Sequence, residues 1–93
     1  MTIFTITGVP RHRSMSPCRC MGWTQTEEEA RCIILKNVSD IHEQLYDYMV
    51  IEEFLSGVYV AGKQIQWYLW EGDRYHECER PPDYQRVVNF GMC

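Results

Sequence analysis

Three arginines and two aromatic residues are the side chains in this sequence best suited to holding a ligand. Arg11, Arg13 and Arg19 concentrate positive charge in an otherwise acidic chain, and a guanidinium fork matches the oxygens of a phosphate. Tyr68 and Trp70 alternate along a strand-like segment and would share an outward face, where a ring can stack on a base. A group for charge and a group for a flat ring are what a small anionic nucleotide-type ligand needs. On this reading the arginines neutralise phosphate and the two rings contact the base. The competing account has the arginines solvated and the aromatics in the core.

A second set is acidic. Glu27, Glu28, Asp40, Glu43 and Glu52 would form a face complementary to a basic groove, and complementary charge speeds encounter and sets specificity. This is the chemistry of a protein–protein inhibitor that covers a nucleic-acid-binding surface. Asp40 and Glu43 also stand at the spacing of a helix cap, which competes for them.

Neither set is catalytic. His12, His42 and His76 and the cysteines supply parts of a nucleophile–base pair, but no spacing forces two of them together. Cys18-x-Cys20, with His12 before it and His76 and Cys78 later, departs from the two- to four-residue ligand spacing of structural zinc sites. There is no P-loop and no GxGxxG pattern. A binding protein with no catalytic residue, metal or cofactor is therefore the expectation.

Bulk composition narrows the setting. The 93 residues make one domain, and 24% charged residues with 45% hydrophobic ones describe a folded chain. A net charge of −4 disfavours general binding to nucleic-acid backbones. No apolar run approaches the ~20 residues needed to span a membrane, and Met1–Gly8 reads as a strand rather than a leader. Five cysteines form an odd set, for which reduced thiols in a protein of the cytoplasm are the simpler expectation.

The elements that must position these residues are legible in part. Ile3–Thr7 alternates as a strand with Phe4 and Ile6 inward, and Cys18–Trp23 is a second strand with Gly22 as a bulge. Thr26 and Glu29 form a capping box, Glu27–Glu29 suit the positive helix end, and Ala30, Ile33 and Ile34 make the buried stripe. Asn37 is a left-handed stop. Asp40 and Glu43 predict one or two further helical turns to about Tyr46. Tyr48–Leu55 is a strand, and Val58–Val60 a short one. Gln64–Trp70 is the strongest, with Ile65, Trp67 and Leu69 opposite Gln66, Tyr68 and Trp70. Gly72-Asp73 turns a hairpin into Arg74–Glu79, and Val87–Phe90 is a last edge strand. The fold class is α+β: one antiparallel or mixed sheet, a main helix on one face and a short second helix. An open edge at Val87–Phe90 makes a homodimer the expected assembly.

The segments CRCMGWTQTEEEA, DIHEQLYDYMVIEE and WYLWEGDRYHE, closed by VVNFG, cover most of the chain from Cys18 to Gly91. In these the sequence resembles a group of small proteins of bacteria, prophages and phages. The PRHRSMSP loop and the Met92-Cys93 tail stand outside the resemblance. It implies an accessory role, of which countering bacterial immunity is a common form, carried out in the host cytoplasm. Two partners follow as expectations: a small anionic nucleotide-type signal to be sequestered, or a bacterial defence protein to be blocked.

Overall fold

The computed structural model describes residues 2–10, 18–55 and 63–82. Five strands form one antiparallel sheet in the order β2-β1-β3-β4-β5. They are β1 (Thr2–Val9), β2 (Arg19–Thr24), β3 (Tyr48–Leu55), β4 (Lys63–Glu71) and β5 (Arg74–Cys78), with α1 (Glu27–Leu35) between β2 and β3. This is the small α+β fold expected. The strands expected at Val58–Val60 and Val87–Phe90, and the dimer edge with them, lie outside the described residues.

Thr26 caps α1 as expected, but the Glu29 carboxylate meets the Thr26 hydroxyl rather than the cap N–H of a full capping box. Thr26 Oγ1 accepts from the Glu29 N–H at 3.2 Å and donates to the Glu29 carboxylate at 3.1 Å, a cap worth about 1 kcal/mol. Three glutamates occupy the first turn, where they complement the helix dipole. The helix ends because Asn37 takes a left-handed φ of 47°. Ala30 and Ile34 are fully buried against the sheet, and Ile33 packs at their side.

The helical turns expected up to Tyr46 reduce to one 3-10 turn, Val38–Asp40. Asp40 and Glu43 do not cap it. Both have left-handed φ values, and their carboxylates serve elsewhere: Asp40 accepts from Asn37 Nδ2 at 3.1 Å and Glu43 meets Arg19. The chain then descends to β3 by way of Tyr46, whose ring lies against Gly8. A Cβ on Gly8 would stand 2.9 Å from Tyr46 Cγ, so only glycine admits this approach.

Each sheet face has its own core. Under the helix lie Ile6, Met49, Ile51, Tyr68 and Tyr75, with Ala30, Ile34 and Tyr46 above them. Val9, Val50 and Trp67 form a smaller cluster on the other face, beside Cys18 and Cys78. Phe4 and Ile6 face the helix side as expected.

Two bulges set the side-chain phase. Ile6 pairs with Gly22 but Thr7 with Cys20, so the extra residue is Met21, next to the glycine expected there. Ile51 pairs with Gln66 but Glu52 with Gln64, which leaves Ile65 as an extra residue in β4. Ile65 therefore joins Tyr68 and Trp70 on the helix side, not Trp67 and Leu69 as strict alternation predicts. At the other end Gly72, with φ of 70°, turns the hairpin and sets Trp70 opposite Tyr75.

Candidate ligand site

The turn at residues 37–47 collects most of the polar and aromatic chemistry of the helix side. Asn37 Oδ1 accepts from the His42 N–H at 3.0 Å and so fixes the imidazole's place. That ring stacks on Trp70, with centroids 3.9 Å apart and planes 11° from parallel. His42 Nε2 lies 3.2 Å from Asp47 Oδ1. Tyr75 stands edge-on to both rings and its hydroxyl donates to the Tyr46 carbonyl. The Trp70 N–H donates to the Asp47 carbonyl at 2.7 Å, which ties the end of the turn to β4. On the turn's outer side Arg19 reaches Glu43 at 3.4 Å, both largely exposed.

Five residues were expected to hold an anionic nucleotide, and the structure treats them differently. Arg11 and Arg13 lie outside the described residues. Arg19 and Trp70 both reach this turn, through the adjacent residues Glu43 and His42. Tyr68 does not belong to a stacking surface. It is fully buried because its face of β4 is the one that α1 covers, and its hydroxyl accepts from Arg31 at 3.0 Å. Arg31 in turn is gripped by Glu27, at 2.6 and 2.7 Å, and lies 3.7 Å from Glu77. Tyr68 is a core residue with a polar tether to the helix, and that part of the expectation is corrected.

The acidic set is corrected too. Glu52 is fully buried in the central strand β3, where Thr7 Oγ1 donates to its Oε1 at 3.5 Å, so it cannot face a partner. Beside it Thr5 Oγ1 is buried with no hydrogen-bond partner among the described residues. Glu27, Asp40 and Glu43 are already engaged by Arg31, Asn37 and Arg19. Of the five, Glu28 alone stands on the surface without such a contact among the described residues.

The cysteines depart from the all-reduced expectation. Cys18 is disulfide-bonded, while Cys20, Cys32 and Cys78 are free. Burial, with Glu71 and Glu79 nearby, pushes the Cys78 thiol up, away from the thiolate form that nucleophilic chemistry uses. Among the described residues no three His, Cys, Asp or Glu side chains converge on a metal position. No helix among them is long and apolar enough to cross a membrane.

His42, Asp47 and Tyr75 are the site residues that sequence reasoning missed. One signal was available: the hairpin about Gly72 and Asp73 places Trp70 opposite Tyr75 by counting alone. Burial, helped by the Asp47 and Asp40 carboxylates, pushes the Tyr75 phenol well above the ordinary tyrosine value. A phenol raised in the folded state gives stability that is full below its unfolded pKa, ~10, and is lost as pH rises beyond it. Burial raises Tyr68 in the same direction, against the pull of Arg31. Denaturant melts should therefore hold level to about pH 9 and fall above about pH 10, and Tyr75→Phe should flatten part of that fall.

Compared with known proteins, the chain matches no family, no curated protein and no solved structure.

Proposed function

We propose that this protein is a non-enzymatic accessory protein of a phage or mobile element that binds and sequesters a small anionic nucleotide-type signal of bacterial immunity. One observation carries the reading: Arg19 and Trp70, a phosphate-type donor and a stacking ring, meet neighbouring residues of one turn. Asp47 adds an acceptor for a ring N–H at the same place. The pairing of a guanidinium, a stacking ring and a carboxylate suits a heteroaromatic base that carries an anionic group. The resemblance of three segments to small phage and prophage proteins supplies the biological setting. Action in the reducing host cytoplasm implies binding that does not depend on the Cys18 disulfide.

The acidic inhibitor reading is weaker on this geometry, because Glu52 is core and three of its other members are spent within the fold. The two readings part in one experiment. Melting temperature is measured with AMP, GMP, cyclic AMP and cyclic GMP. A ligand at a hundredfold excess over its Kd stabilises by about 2.7 kcal/mol, and each kcal/mol moves a domain of this size by roughly 4–8 °C. A shift of that order with at least one nucleotide is expected. Flat melting temperatures across the panel would overturn the proposal and direct the search to protein targets in host lysate.

A further inference from the structure

The contacts that mark the site are made by the chain itself. Building on the nucleotide reading, we infer that His42 and Glu43 are an internal stand-in for the ligand, carried on a strap that closes the Arg19–Trp70 site and must lift before a heteroaromatic anion binds. The imidazole is a flat nitrogen heterocycle stacked at 3.9 Å on Trp70, the arrangement a base would adopt there. Its Nε2 addresses Asp47 Oδ1 at 3.2 Å, as a base N–H would. The next residue presents a carboxylate to Arg19 at 3.4 Å, where a phosphate oxygen would sit. One dipeptide thus supplies a ring, a ring nitrogen and an anion in the order a nucleotide supplies them.

The strap is held by Ile41 and Leu45 against the core and by the Asn37 Oδ1 bond to the His42 N–H, and backbone strain works against that hold. Asn37, Ser39, Asp40, Glu43 and Gln44 all hold left-handed φ values between 47° and 56°, a conformation that residues with a Cβ adopt rarely and at a cost. Two of the five are Glu43 and its neighbour Gln44, at the anionic end of the stand-in. The Arg19–Glu43 pair is exposed, so water and a competing anion reach it and it holds weakly. The far end is different: Trp70 N–H binds the Asp47 carbonyl, and the Tyr75 hydroxyl binds that of Tyr46. Lifting 38–45 about that anchored end would clear the Trp70 ring while leaving the Asp47 acceptor and Arg19 in place.

The test measures affinity for AMP, GMP, cyclic AMP and cyclic GMP in the wild type and in two strap variants. His42→Ala removes the competing ring. Glu43→Gln removes the competing anion at an exposed position where the fold is not at stake. Tighter binding of the best nucleotide is expected in both, at least tenfold for His42→Ala and about threefold for Glu43→Gln. Equal or weaker binding by Glu43→Gln, with Arg19 and Trp70 still required, would overturn the strap and leave the site standing. If neither the wild type nor the variants bind any of the four nucleotides, the site and its strap fall together.

Discussion

Tyr68→Ala should destabilise the fold by about 3–5 kcal/mol, the range for deleting a large buried ring. The total stability of a 93-residue domain is only ~5–14 kcal/mol, so a large share would be lost. The cause is twofold. The ring is fully buried between α1 and the sheet, and its removal leaves a cavity that the surrounding structure fills only in part. It also takes away the hydroxyl that receives Arg31. Tyr68→Phe separates the two effects, since it keeps the ring and forfeits a hydrogen bond to a charged donor, roughly 1.5–3 kcal/mol at most. Denaturant unfolding of both variants checks this. A Tyr68→Ala loss within ±0.5 kcal/mol, as for a surface substitution, would return Tyr68 to the outer surface.

Trp70→Ala should weaken nucleotide affinity by at most about 5- to 150-fold, the value of one base–aromatic stack of ~1–3 kcal/mol, because the His42 stack that the ligand displaces is lost with the ring. Trp70 is half-buried and touches His42 and Tyr75, so the ligand-free protein must also lose stability. Trp70→Phe keeps a stacking ring and should recover most of the affinity, which a purely structural role does not require. Arg19→Ala is the cleaner partner. Its guanidinium is mostly exposed, so the ligand-free melt should move by no more than ~0.5 kcal/mol while binding falls about tenfold or more, as a charged hydrogen bond of ~1.5–3 kcal/mol requires. Titration calorimetry of the three variants separates binding from folding.

What could be read from the sequence was local. The Thr26 cap of α1, the left-handed Asn37, the span of β3 and the Gly72 turn each depend on residues a few positions apart, and each appears where its chemistry puts it. What could not be read depends on which strands become neighbours. Both faces of Gln64–Trp70 carry large apolar side chains, so alternation alone does not say which face α1 covers or that Tyr68 lies beneath it. Ile65 left its expected face because β3 and β4 pair through a bulge. Glu52, in an Ile-Glu-Glu run, looks solvated until β1 is placed beside β3 and brings Thr5 and Thr7 against it. Nothing near His42 in the sequence pairs it with an aromatic ring, and only the return of β4 sets Trp70 beneath its imidazole. Of the site itself, the sequence marks Arg19 and Trp70 as types suited to a ligand but does not mark the turn that joins them.

The central claim is that Arg19 and Trp70 serve one ligand, and the native mass of the protein purified from a bacterial host tests it most directly. The account predicts a retained nucleotide-sized mass on the wild type and its loss from the Arg19→Ala/Trp70→Ala double variant. A bare wild-type protein, or a bound molecule kept undiminished by the double variant, would contradict it.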